Sequence, residues 1–376
     1  MKIFLFLRLH RFAAVSVVVM VATVAAVGAG AAGAAGPAGA VTGAPAGETA
    51  VPPYEPQPVA PPPADAPYLL ADGSIHYAGN DLVAVLFGKL SEIFVRTHPG
   101  FKFQGDMQDS NLALPGIISG KSAFGPIGRD AIRQELDGFT ARYGYPPSEV
   151  LIGYDQSPDT DIFPPGKTPA AIWINTRNPL PKLTVAQVGR ILKSGGAGGD
   201  ITHWSQLGIG GEWAKREIHV YLPGNRDAAF LFTMGYRMGD RPFTRRAEWL
   251  PSTRDVMSAV AQDPFGIGVI GFWPPDAGWD RQHELGGEAK IVALAADDES
   301  RFSRAAPGDL YAFTPGIHIY FNRRPGQRIE PWLKEYLRLA LSPEGQALVT
   351  AMAVIDTTVF IRLQPGEAER ELEKLK

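Results

Sequence analysis

Short apolar runs alternate with amphipathic stretches along most of this chain. Ser74–Ala78 predicts a strand. A helix follows from Asp81 to about Thr97, with Leu82, Val85, Leu86, Leu90, Ile93 and Phe94 on its apolar face. Asn80 or Asp81 caps it, and Pro99-Gly100 ends it. Phe101 and Phe103 open a second strand, and Gly105–Leu114 is polar loop. Pro115–Lys121 predicts a short helix with Gly120 as its stop, and Ala123–Arg129 follows it. Further on, Ala170–Asn175 is a buried strand, Asn178-Pro179 a turn, and Thr184 an N-cap before Val185, Val188, Ile191 and Leu192 at helical spacing. Glu217–Leu222 and Ala289–Leu294 predict strands; Ala228–Met238, Asp255–Gln262 and Ile329–Leu341 predict helices. Glu367–Lys376 predicts a charged, solvated helical tail.

The first residues break this pattern. Lys2, Arg8 and Arg11 precede the apolar stretch Phe12–Val27, and small residues follow. A spanning helix needs about 20 apolar residues. The stretch is shorter and rich in Ala and Gly, so a cleaved secretory signal over residues 1–35 is expected, with a retained anchor as the other reading. Residues 36–67 are rich in Ala, Pro and Gly and read as a disordered linker, either a tether or a plain spacer.

Charge and chemistry narrow the function classes. The chain has 36 basic and 39 acidic residues, a net charge of −3, so nothing points to nucleic acid or an anionic membrane as partner. The absence of cysteine excludes disulfides, thiolate metal sites and a cysteine-linked lipid anchor. There is no G-x-S-x-G elbow, no H-E-x-x-H and no P-loop, so no enzyme is indicated and no cofactor is expected. Gly266–Phe272 fits G-x-G-x-x-G, but a helix precedes it and Trp273-Pro274-Pro275 follows, which is the wrong context for a dinucleotide. His76, His98, His203, His219, His283 and His318 stand apart in sequence, so neither a metal site nor a proton relay is indicated.

The order of residues in two stretches carries more. Asn178–Leu192 reads N-P-L-x-x-L-T-x-x-Q-x-x-x-I-L, and Ile201–Gly208 reads I-T-x-W-x-x-L-G. This resembles the phosphate-binding family of periplasmic solute-binding proteins, the receptors of ABC importers. G-I-G-V-I-G-F and Ile317–Asn322 resemble strands of the same family. The resemblance runs from about residue 74 to 355. It implies an α/β, two-lobed periplasmic-binding-protein type II fold, each lobe a mixed sheet flanked by helices, with a hinge between. Lobe 1 is expected at 68–169 plus 295–376 and lobe 2 at 170–294. It also implies a monomeric periplasmic protein that hands a small anion to an inner-membrane permease.

In that family, Gly- and Ser-rich turns at helix N-termini grip the anion, because converging N–H and O–H groups satisfy a desolvated oxyanion. Here the matching positions differ. Asn80 and Asp81 stand at the first turn, and Asp109, Ser110 and Asn111 in the second loop. Ile127-Gly128 replaces paired serines before Arg129, and Arg226-Asp227-Ala228 replaces Ser-Gly-Thr after Asn225. The expected ligand set is therefore Asn80, Asp81, Ser110, Asn111, Arg129, Asn225 and Arg226. The plainer roles of these residues remain open: helix capping for Asn80 and Asp81, a salt bridge for Arg129, and a loop charge beside Asp227 for Arg226. Phosphate receptor and a fold turned to another solute or to protein contacts are the two functional readings.

Overall fold

The computed structural model describes residues 51–155, 171–224, 231, 235, 237–239, 241–270, 288–295, 313–351 and 360–376. An antiparallel four-stranded sheet and a mixed five-stranded sheet, each over its own apolar core, organise this part, with two separate two-stranded parallel pairs beside them.

The first lobe begins with β1 (Ile75–Gly79), which pairs in parallel with β2 (Phe103–Met107). Beside them lies a four-stranded sheet in the order β13–β4–β12–β3, built from β3 (Phe124–Ile127), β4 (Ser148–Asp155), β12 (Gly316–Phe321) and β13 (Phe360–Ile361). Two backbone bonds stitch β1 to β3: Ala123 N to His76 O at 2.9 Å, and Asn80 N to Pro126 O at 3.0 Å. The second contact is so close that a Cβ on Gly79 would stand 2.0 Å from the Pro126 carbonyl oxygen, so only glycine fits there. Because β12 lies between β3 and β4, residues from both ends of the chain share this sheet.

Helix α1 (Ala84–Thr97) covers this lobe with α6 (Pro331–Leu341) and α7 (Pro343–Ala351). Its buried face of Leu86, Phe87, Leu90 and Phe94 keeps Leu86, Leu90 and Phe94 of the expected one and adds Phe87, while Leu82 and Val85 are exposed. The cause is the entry turn. Asp81–Val83 winds as a 3₁₀ turn capped by the Asn80 side chain, and Val83 faces in instead. Phe94 meets Phe101, Phe103 and Tyr336 in an aromatic cluster.

The N-terminal stretch corrects a second expectation. Residues 51–67 are not a free linker. Val51, Tyr54 and Val59 pack on the core of this lobe. Tyr54 N donates to Glu344 and Gln57 N to Glu335, while Gln57 O meets His98 Nε2 at 3.0 Å. Apolar anchors between prolines let an extended chain lie down as a strap. Residues 1–50, with the expected signal and the first part of the expected linker, lie outside the described residues.

The C-terminal tail is likewise packed rather than solvated. It forms α8 (Pro365–Glu373), with Ala368 and Leu375 buried. Glu371 accepts from Leu151 N, and Glu367 from the Tyr154 hydroxyl.

The second lobe is a five-stranded sheet in the order β10–β5–β9–β7–β8. Its strands are β5 (Ala171–Asn175), β7 (His219–Pro223), β8 (Ala247–Leu250), β9 (Gly266–Ile270) and β10 (Ala289–Ile291). All of β5 is buried, as its unbroken apolar run predicts. β9 is the glycine-rich run, and Gly268 lets Val256 and Val260 of α5 (Thr253–Gln262) press onto the sheet. β6 (Lys182–Thr184) leads into α4 (Val185–Leu192) and pairs with β11 (Ala293–Ala295). The side chain of Thr184 accepts from Gln187 N, and Gln187 Oε1 accepts from Thr184 N, which seals the start of α4. Phe313 sits in the core of this lobe and Gly316 begins β12 of the other, so residues 313–316 cross between them.

Candidate functional site

The carboxyl ends of β1, β2 and β3 converge, and five of the seven expected ligand residues lie there. Asn80 follows β1, Ser110 and Asn111 lie on the turn after β2, and Arg129 follows β3. The Asn80 side-chain amide donates to the Ser110 hydroxyl, so the first two loops touch. Arg129 Nη2 reaches Asn111 Oδ1 at 3.4 Å, which brings the third loop to the second. Asn225 and Arg226 lie outside the described residues.

Much of the hydrogen-bonding capacity at this convergence is spent internally. Leu82 N donates to Asn80 Oδ1 at 2.7 Å and to Asp81 Oδ1 at 3.0 Å. Asn111 N donates to Asp109 Oδ1 at 2.8 Å. In both turns a side chain of the protein holds an amide that a bound anion would otherwise claim. Arg129 is clasped by Glu135 of α3 (Arg133–Tyr143), with Nη1 2.9 Å from Oε2 and Nη2 2.8 Å from Oε1. Glu135 Oε2 also accepts from Ile132 N, so one carboxylate caps α3 and fixes the guanidinium. The capping role weighed for Asn80 and Asp81 and the salt bridge weighed for Arg129 are thus both present.

A second charged group, which sequence reasoning missed, adjoins this one. Asp130 accepts from Arg237 through two contacts, Nε to Oδ2 at 2.8 Å and Nη2 to Oδ1 at 3.0 Å. His318 Nε2 meets the same Oδ1 at 3.1 Å. On its other side, His318 Nδ1 is 3.1 Å from Glu149 Oε2. That approach lies off the hydrogen-bond direction and leaves Nδ1 without a bond, so the contact is an ion pair. Lys374 stands 3.6 Å from the other Glu149 oxygen.

Burial opposes charge on each of these groups, and the partners overrule it. Burial works to raise Asp130, but the hydrogen bond from His318 and the charges of Arg237 and His318 hold it down at about 2. Burial likewise works to raise Glu149, and His318 and Lys374 hold it at about 2. Burial works to lower His318, and the two carboxylates lift it to about 9. At neutral pH the histidine is therefore a cation. Its isolation along the sequence does not carry into space; the one signal was a polar residue inside the fully buried strand Gly316–Phe321.

Among the described residues no group of three or more His, Cys, Asp or Glu could hold a metal ion. No helix among them is long and apolar enough to cross a membrane.

No family model matches the chain. A curated phosphate-binding protein, PstS of Pseudomonas aeruginosa, is 25% identical over 310 residues, which span 81% of this chain and 87% of the relative. Among solved structures, PstS from Borrelia burgdorferi superposes with a TM-score of 0.43 at 14% identity, covering 77% of this chain and 98% of that one. An ABC-type phosphate transport receptor from Vibrio cholerae gives 0.39 at 16% identity, over 77% and 99%. The tungstate-binding protein TupA from Desulfovibrio alaskensis gives 0.39 at 9% identity, over 77% and 98%. Across 81% of its length, this chain is similar to that phosphate-binding protein.

Proposed function

We propose that this protein is the extracytoplasmic solute-binding component of an ABC importer, a binding protein and not an enzyme. It takes phosphate or a related oxyanion between its lobes. In this reading it is exported through its N-terminal signal, works as a monomer in the periplasm, and delivers its solute to an inner-membrane permease. The observation that carries the reading is the convergence of Asn80, Ser110, Asn111 and Arg129 on three neighbouring turns. It is supported by kinship to a phosphate-binding protein over most of the chain. Ser110 accepts from Asn80 and keeps its own proton for a ligand oxygen. With Arg129 held by Glu135, we assign the anion's guanidinium to Arg226, from the sequence pattern alone.

Asp81 and Asp109, which spend the turn amides internally, favour a second reading. In it the fold no longer serves phosphate and binds another solute or a protein. A charge-assisted hydrogen bond contributes about 1.5–3 kcal/mol net. Losing two or three weakens phosphate binding by roughly two to six decades, at about 1.4 kcal/mol per decade.

Calorimetric titration of the mature protein with phosphate, sulfate and molybdate, alongside Arg226→Ala, separates the readings. Measurable heat that the variant loses supports oxyanion capture. Tight phosphate binding that survives in the variant overturns the assignment of Arg226. No heat with any of the three anions leaves the second reading standing.

A further inference from the structure

Five side chains of alternating charge run in contact from the second lobe to the last helix of the first: Arg237, Asp130, His318, Glu149 and Lys374. Two of them, Arg237 and Asp130, stand at the lobe boundary. Arg237 belongs to the second lobe, at a helical position following β7. Asp130 belongs to the first, on the loop between β3 and α3. The pair is bidentate at 2.8 and 3.0 Å, with side-chain exposures of only 27% and 18%. The remaining guanidinium nitrogen, Nη1, donates to Thr314 O at 3.1 Å. Thr314 is part of the segment that crosses between the lobes. One arginine of lobe 2 thus grips both the opposite lobe and the crossing segment.

The surroundings fix the pair in register. Asp130 Oδ1 receives both Arg237 Nη2 and His318 Nε2, so the carboxylate cannot turn without breaking a contact behind it. The Tyr320 hydroxyl, also on β12, accepts from Ala131 N at 3.1 Å and pins the backbone next to Asp130.

We propose that Arg237 and Asp130 form a latch that holds the two lobes closed before any solute arrives. A receptor of this build without such a pair rests open and closes around its ligand. Here part of the interaction that a ligand supplies on closure is supplied by the protein itself, so the ligand-free population lies toward the closed form. The inference is independent of which solute the cleft takes.

The test uses the absence of cysteine, which makes introduced labels unique. Spin labels at Lys89→Cys on α1 and Lys215→Cys in the second lobe occupy exposed positions. Double electron–electron resonance then reads the interlobe distance in the full mature chain without added solute. The expected result is a narrow distribution in the otherwise wild-type protein, moved to longer distance in both Arg237→Gln and Asp130→Asn. The double variant should be no more open than either single one, because each removes the same contact. Circular dichroism confirms that each variant is folded, and two independent single variants guard against the loss of one. A ligand-free protein with the same distribution as both single variants overturns the latch. So do shifts that add in the double variant.

Discussion

Removal of the His318 cation offers a quantitative test of the charge chain. The folded protein holds His318 at about 9 against an ordinary 6.5. That gap of about 2.5 pH units corresponds to about 3 kcal/mol, at about 1.4 kcal/mol per unit. The side chain is 7% exposed, so solvent screening takes little from the figure. The same contacts also hold Asp130 and Glu149 at about 2, so the three shifts describe one network and are not summed. The sign follows from linkage. A raised histidine stabilises fully below its unfolded value of 6.5 and loses that contribution as pH rises through about 9. The depressed carboxylates stabilise above their unfolded values of 3.8 and 4.5 and lose that contribution as pH falls through about 2. The network is therefore strongest between about pH 4.5 and 6.5. Thermal melting of wild type across pH 6–10 should show Tm falling by roughly 6–12 °C, taking the about 2–4 °C per kcal/mol of a domain of about 150–250 residues as an upper guide. His318→Gln removes the titrating group, so its Tm should start lower and stay nearly flat over the same range. Parallel curves for wild type and variant would refute the assignment of a charged His318.

The remaining predictions address packing and the candidate site. Gly79→Ala drives a methyl group to 2.0 Å from the Pro126 carbonyl oxygen; it should lower stability by about 1–3 kcal/mol or more, read as a lower urea midpoint, and an unchanged midpoint would contradict the close approach of β1 and β3. Glu335→Ala leaves Gln57 N without its acceptor and Arg338 without its partner. The loss is about 1–3 kcal/mol, and limited proteolysis should cut within residues 51–60 faster while the rest stays intact; equal rates would argue against the strap. Arg129→Ala should lower Tm through loss of the Glu135 clasp, yet change oxyanion affinity less than about threefold, since a tenfold change needs about 1.4 kcal/mol. A large loss of affinity without loss of stability would return Arg129 to the ligand set.

Much of the fold was legible because local signals agreed with tertiary demands. Thr184 and Gln187 read as a helix start and form that cap. Ala171–Asn175 read as a buried strand and is the fully buried β5. The Ser342-Pro343 turn separates α6 from α7, with the Ser342 hydroxyl accepting from Gly345 N. The buried face of α1 was legible at Leu86, Leu90 and Phe94 but not at its start, where Leu82 and Val85 are exposed and Phe87 is buried. Leu82-Val83 and Val85-Leu86-Phe87 are contiguous apolar residues, so two helical faces fit the sequence equally well. The 3₁₀ turn at Asp81–Val83 selects the face containing Phe87, and no sequence signal announced that turn. The strap was missed because proline-rich composition describes an isolated chain. Its order comes from Glu335 and Glu344, 278 and 290 residues away from the backbone groups they hold.

The site shows why motif comparison reaches the scaffold before the chemistry. Asn80, Ser110, Asn111 and Arg129 were identified by their places in strand–turn–helix patterns, and such patterns predict which loops meet. They do not predict what each side chain does on arrival, because that depends on neighbours remote in sequence or absent from the motif. Glu135 decides that Arg129 is clasped, and the side chains of Asn80, Asp81 and Asp109 decide that two turn amides are occupied. The charge chain is more remote still: 107 residues separate Arg237 from Asp130, and 188 separate His318 from Asp130. Only the insertion of β12 between β3 and β4 joins the last two. A buried histidine in an apolar strand demands counter-charges, so His318 states that partners exist without naming them.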